Sequence, residues 1–214
     1  SILEVRTEEG DAYQAKALIF ATGKRPRLLG VRGESEYRGR GVTYCAICDG
    51  PLFEGMDVAI VGGGNSALEA TLDMVRIATK VYLVAIHDLR ADPILIDSAQ
   101  QAKNLTILTH HQVQEVHGNS MVSAVTIKSL KTNEVKRLDV GGVFVEIGLI
   151  PNSEPVTGLV NLNELGEVVV NGACETNVPG LFAAGDVTTV PEKQIVVAAG
   201  EGAKAALSAH KHLL

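Results

Sequence analysis

The run Asp57-Val58-Ala59-Ile60-Val61-Gly62-Gly63-Gly64-Asn65-Ser66-Ala67 decides how this chain folds. Its unbroken apolar stretch reads as a strand covered on both faces, and the glycines read as a tight turn. Beyond the turn, Ala67, Leu68, Thr71, Leu72 and Val75 recur at helical spacing, so a helix is expected from about Asn65 to Ile77. Lys80 to Ala85 is again apolar and strand-like. Strand, helix and strand make a βαβ unit of about thirty residues.

Such a unit binds dinucleotides when its first turn carries the right small residues. Gly62 would make the turn, Gly64 would let a pyrophosphate approach the backbone, and Ala67 would let the helix pack closely. Asn65 and Ser66 then stand at the helix start, where free amides hold phosphate. The competing reading is a unit that keeps the turn only for packing. An NAD site expects an acid about twenty residues further on, and an NADP site expects arginine. The second strand instead runs into Ala85-Ile86-His87-Asp88-Leu89-Arg90, with no acid at its tip and Arg90 as the nearby cation. His87 fits a ligand contact or a solvated loop, and Asp88 with Arg90 fits a surface pair equally well.

Upstream lies Tyr44-Cys45-Ala46-Ile47-Cys48-Asp49-Gly50. Two thiols stand one helical turn apart with a carboxylate beside the second, the pattern of a redox pair in which one thiol ionises near neutral pH. Asp49 is placed to move the proton. The structural alternatives are an inert buried pair and a zinc half-site, which would need Cys174 and a distant His, since no second CxxC or HxxxH exists. Cys174 itself reads as a packing residue.

Further out, Ile2 to Thr7, a turn at Glu9-Gly10-Asp11, and Tyr13 to Phe20 are expected to form an antiparallel hairpin. Ala21-Thr22-Gly23 then turns, and the basic, glycine-rich Lys24 to Gly41 reads as a connector, with a domain boundary near Arg27. After the βαβ unit we expect a short helix at Ser98 to Lys103 and a strand at Thr106 to Thr109. A meander of Gln114 to Val116, Val122 to Ser129 and Val135 to Val140 should turn at Gly118-Asn119 and Thr132-Asn133. Gly142 to Ile147 is a buried strand and Gly148 to Asn152 a return linker. Val168 to Val170 and Gly180 to Ala184 are expected to pair, followed by the Gly185-Asp186 turn and a last helix from Lys193 to Leu213. There is no internal repeat.

The 214 residues, 46% hydrophobic and 21% charged, suffice for one large or two smaller domains. A formal net charge of -6 and pI near 5.5, with no basic run, four Tyr, four Phe and no Trp, argue against nucleic acid and anionic membranes as partners. No membrane span or signal peptide is expected, and three cysteines, two of them in the CxxC, fit a reducing, cytoplasmic compartment. No metal is expected. Ser1 stands where Met is usual and a strand pattern opens at once, which suggests a truncated chain.

Taken together, Ala21-Thr22-Gly23, Gly39 to Gly50, Val61 to Ala67, Ile147 to Asn152, Thr176 to Val187 and Lys193 to Gly200 resemble the low-molecular-weight thioredoxin reductase family. Cys174 to Val178 and Thr188 to Pro191 also resemble its branch containing the flavoprotein subunit of alkyl hydroperoxide reductase. The similarity spans nearly all of the chain. It implies an α/β protein of two Rossmann-like, three-layer domains. A nicotinamide domain at 28-148 is inserted into an FAD domain, here incomplete, at 1-27 and 149-214. Cys48 would exchange electrons with the flavin, Cys45 would attack the partner's disulfide, and Asp49 would be the acid-base group. Asp186, with Gly185, would meet the ribityl chain of FAD, Lys193, Gln194 and Ile195 would lie near the flavin ring, and Gly148 would stand at the domain return.

The implied activity passes electrons from NADH or NADPH through FAD to the dithiol and on to a small redox protein of the thioredoxin or peroxiredoxin type, in a homodimer. In two respects this chain departs from the family. The N-terminal strand, glycine-rich turn and helix that hold the ADP half of FAD, about one domain's worth of sequence, have no counterpart. The His-Arg-Arg run of NADPH-using members is replaced by Ile86 to Arg90. The alternatives are a non-catalytic nucleotide-binding or dimerising module, and a dithiol carrier that works without flavin.

Overall fold

The computed structural model describes residues 2–214 and divides into two compact units, 26–148 and a second formed by 1–25 with 149–214. In chain order the first elements are β1 (Leu3–Arg6), β2 (Ala12–Ala15), β3 (Leu18–Phe20), β4 (Lys24–Pro26), β5 (Val42–Thr43) and α1 (Ala46–Asp49). They are followed by β6 (Asp57–Val61), α2 (Asn65–Met74), β7 (Lys80–Ala85), α3 (Pro93–Gln100) and β8 (Leu105–Thr109). The remainder comprises β9 (His111–Gly118), β10 (Val122–Ser129), β11 (Val135–Asp139), β12 (Gly142–Val145), β13 (Leu149–Pro151), β14 (Leu181–Ala183) and α4 (Ile195–Leu213).

Unit 26–148 is a parallel five-stranded sheet of order β5-β12-β6-β7-β8. Val58, Ala59, Ile60 and Val61 are all buried because both faces are covered. On one face Val58, Ile60, Val81, Leu83 and Phe144 pack against Ala67, Leu68, Ala70 and Met74 of α2 and Ala99 of α3. On the other, Ala59, Val61, Val84, Val143 and Val145 pack against Val113, Val116, Val125 and Ile127 of the antiparallel sheet β11-β10-β9. The result is an α/β unit of three layers, with the glycine-rich turn at the C-terminal edge of β6 as the sequence reading requires.

Several expected elements move. α2 stops at Met74 rather than Ile77, because Arg76 and Ile77 donate to Asp73 and Met74 in tighter turns. The helix expected at Ser98 to Lys103 runs instead over Pro93–Gln100, since Pro93 starts a helix well at its first position.

Unit 1–25 with 149–214 is built from smaller pieces. β1 and β2 form the expected hairpin, but it ends at Ala15; Leu18–Phe20 turns away to pair in parallel with β14. The expected pairing of Val168 to Val170 with 180 to 184 is therefore replaced, and Val168 makes only single bridges to Leu162 and Thr188. Two segments expected as linkers carry strands: β4 pairs with β13. A partner more than a hundred residues away leaves no local sequence signal, which is why these pairings were not legible. α4 starts at Ile195, two residues after Lys193. Its buried side rests Ala205 and Ala209 against Cys174, Phe182 and Ala184.

Candidate functional site

In unit 26–148, three successive strand ends converge. β5 leads into Tyr44 and Cys45, β12 into Glu146, and β6 into Gly62; β12 lies between the other two. Crevices at the carboxyl ends of parallel strands are where such sheets take ligands.

Gly62 has φ 149°, and a Cβ there would stand 2.2 Å from the Glu146 carbonyl oxygen and 2.9 Å from Ala67 Cβ. Only glycine fits. At Gly64, by contrast, the space above the Cα is open, which leaves the backbone reachable from the cleft. α2 has no side-chain cap at Gly64, so its first amides are available to an anion. Asn65 is engaged elsewhere: its Nδ2 donates to Asp92 Oδ2 at 3.0 Å, and its Oδ1 accepts from the Asp92 amide at 2.9 Å. That clip ties the segment after β7 to the start of α2, as does the Arg90 amide donating to the Gly63 carbonyl at 2.7 Å.

Beside the turn lies a cavity of about 530 Å³, which Asn65 does not line. Gly62, Gly64, Ser66, Arg90 and Gly148, all expected from the sequence, line it together with His87 and Asp88. Asp88 also accepts from His110 Nε2 at 2.9 Å. Ala67 is fully buried beneath the turn and packs rather than lines. The sequence reading missed Leu28, Leu29, Gln112 and Glu146 in the wall. The first three come from the connector and from a strand outside the βαβ unit, so no local pattern marks them. Glu146 was marked by one signal, a carboxylate inside an apolar strand run. Burial pushes its carboxyl up to about 7, opposed by the Ala46 amide and aided by Glu69.

On the other side of β12, Cys45 and Cys48 form a disulfide, so the pair is not arranged as a zinc half-site. Cys45 caps the single-turn α1: the Cys48 amide donates to its sulfur at 3.2 Å. Cys45 is half-buried and Cys48 exposed. The Asp49 carboxylate accepts from Thr43 Oγ1, and Thr43 Oγ1 also accepts from the Cys45 amide at 3.3 Å. Just before the pair, the Tyr44 hydroxyl donates to Glu34, which also takes the Leu29 and Gly30 amides. Burial and the Glu34 charge push the Tyr44 hydroxyl up to about 12. Ile47, between the two cysteines, and Leu52, four residues after Cys48, are exposed.

The other expected residues lie in unit 1–25 with 149–214. Gly185 and Asp186 form a tight turn after β14, with Gly185 at φ 74°. Among the described residues, Asp186 Oδ1 is the buried side-chain oxygen without a hydrogen-bond partner. An unpartnered buried acceptor suits a ligand that brings hydroxyl donors. Lys193 is committed within the unit, to Glu167 at 3.0 Å and to the Thr188 carbonyl at 2.7 Å. Gln194 caps α4 through its backbone, and Ile195 is almost fully exposed. Cys174 is buried and its thiol donates to Glu201 at 3.2 Å. Burial and that carboxylate push it up to about 11, far from thiolate chemistry.

Among the described residues, no group of three or more His, Cys, Asp or Glu could hold a metal ion, and no helix is long and apolar enough to cross a membrane. Residues 2–202 match the family described as pyridine nucleotide-disulphide oxidoreductase. The chain belongs to that family. Within it, the F subunit of alkyl hydroperoxide reductase in Pseudomonas aeruginosa is 48% identical over 99% of this chain. A Bacillus subtilis NADH dehydrogenase is 42% identical over the whole chain. A Streptococcus pyogenes thioredoxin reductase structure superposes with a TM-score of 0.91 at 39% identity, over 98% of this chain and 69% of its own. The chain spans 41% of the length of the Pseudomonas relative and 42% of the Bacillus one.

Proposed function

We propose that this chain carries the nicotinamide-binding and dithiol parts of a flavin-dependent disulfide oxidoreductase. In this reading, residues 28–148 take NADH or NADPH, and residues 1–27 with 149–214 contribute to an FAD domain. The observation that supports it best is the arrangement of one sheet edge, where a disulfide and a glycine-lined nucleotide cleft follow strands separated only by β12.

The chain's own residues would act as follows. The α2 amides and Ser66 would hold a pyrophosphate, with Arg90 and His87 near the ribose end of the cleft. Asp186, through its unpartnered oxygen, would take a hydroxyl of the ribityl chain, with Gly185 turning it into place and Gln194 and Ile195 near the ring. FAD, when bound, supplies the step that accepts a hydride and passes two electrons to sulfur. Cleaving the Cys45–Cys48 bond with those two electrons and one proton yields a thiol and a thiolate. Asp49, held by Thr43, would deliver or remove one proton at sulfur. Cys45 would then attack a disulfide of a small redox protein of the peroxiredoxin or thioredoxin type, and Cys48 would close the ring. A cytoplasmic homodimer completes the proposal.

The test is an absorbance spectrum of the purified chain with and without added FAD, followed by anaerobic NADH or NADPH. Flavin bands that bleach on addition support the reading. A chain that never retains FAD confines it to nucleotide binding and thiol exchange.

A further inference from the structure

Glu146 has no role in that scheme, yet it stands at the centre of the sheet edge. The β12 register pairs Phe144 with Thr43 on one side and Val145 with Val61 on the other. Continued by two residues past the first pair and by one past the second, it sets Glu146 level with Cys45 and with Gly62. The second of these is borne out by the Glu146 carbonyl, which would touch a Cβ at Gly62 at 2.2 Å, and by the Glu146 amide, which donates to Val61 at 2.8 Å. Glu146 is one of the residues lining the nucleotide cavity, and its carboxyl meets the Ala46 amide, next to Cys45.

We propose that Glu146 is a positioning residue that couples the nucleotide cleft to the dithiol, taking up a proton when Cys45–Cys48 is reduced and releasing it when the disulfide reforms. The proposal rests on the reading of Cys45 and Cys48 as a cycling pair. In the reduction, two electrons from the nicotinamide donor break the sulfur–sulfur bond, one sulfur takes a proton and the other is left as thiolate. The new negative charge beside Glu146 raises its affinity for a second proton, which comes from water. Glu146 is poised for this, since burial already brings its carboxyl to about 7. The charged group that bears on it is Glu69 on α2; Asp49 on α1 is held by Thr43, and His87, Asp88 and Arg90 line the same cavity. Glu69 adds negative charge, which favours the protonated carboxyl; the Ala46 amide opposes it.

The test uses this chain with a chemical reductant, so it does not depend on flavin or nicotinamide binding. After reduction with dithiothreitol, the alkylation rate of each cysteine is followed by mass spectrometry between about pH 5 and pH 9. Glu146→Gln removes the ionisable neighbour, and Cys45 is expected to alkylate about threefold faster near neutral pH. In the unmodified chain, carbon NMR of the Glu146 carboxyl is expected to give a midpoint higher in the reduced than in the oxidised form by about half a unit. This measurement decides the matter even if the variant does not fold. Superimposable alkylation curves with an unchanged carboxyl midpoint would overturn the proposal. So would an effect of Glu146→Gln confined to nucleotide affinity.

Discussion

The two units solve the same problem differently. Unit 26–148 covers both faces of one parallel sheet and carries its cleft and its disulfide on a single edge. Unit 1–25 with 149–214 has two-stranded ladders, smaller clusters of buried side chains, and a helix that leaves Ile195, Val196 and Leu207 exposed. In place of a broad core it places polar groups inside: Glu167, Lys24 and Lys193 are largely buried together. Where apolar area is short, a unit leans on ion pairs, and ion pairs make stability depend on pH.

The sharpest way to break this contrast is at Gly62. Gly62→Val puts a side chain into the Glu146 carbonyl and asks a β-branched residue to adopt φ 149°. It is expected to cost unit 26–148 about 4 kcal/mol or to prevent its folding, read by chemical denaturation, while the other unit's transition stays in place. Next in size is Glu167→Gln, which leaves Lys24 and Lys193 facing each other without their carboxylate. A loss of about 3 kcal/mol is expected, confined to unit 1–25 with 149–214. An equal loss in both units would mean that they do not melt separately and that the contrast is wrong.

Acidity sharpens it further, because the two units respond in opposite directions. For Glu167, burial pushes the carboxyl up, but its bonds to Lys24, Lys193 and Asn163 outweigh it and hold the carboxyl below its ordinary range. Its contribution is present above the unfolded value and is lost as pH falls through the folded one. Glu146 is raised from 4.5 to about 7, so its contribution is full below the unfolded value and is lost as pH rises towards 7. Between those limits unit 26–148 is expected to lose about 2 kcal/mol, discounted for partial exposure, as the medium is made neutral. Thermal melts of each unit across that range check the opposite slopes, and parallel slopes would refute them. The smallest effect is expected from Leu207→Lys on the exposed side of α4: within about 0.5 kcal/mol by denaturation if that surface packs on nothing in this chain.

Much of unit 26–148 was readable in the residues. Val58 to Ala67 specifies a strand, a turn that tolerates only glycine at Gly62, and a helix, because all three signals are local and reinforce one another. The disulfide pairing of Cys45 with Cys48 follows from the same locality, one helical turn. Pairings of high sequence separation were not readable: β3 with β14, β4 with β13, and the placement of β12 between β5 and β6. That last placement is what puts Glu146, an unremarked carboxylate in the sequence, against Gly62 and the Ala46 amide, next to Cys45. The sequence alone determined where the paired thiols and the glycine-rich turn stand, since both announce themselves by spacing. Only the tertiary structure decided which groups stand next to them, because strand order in a parallel sheet is set by crossovers whose pairing partners leave no mark on neighbouring residues.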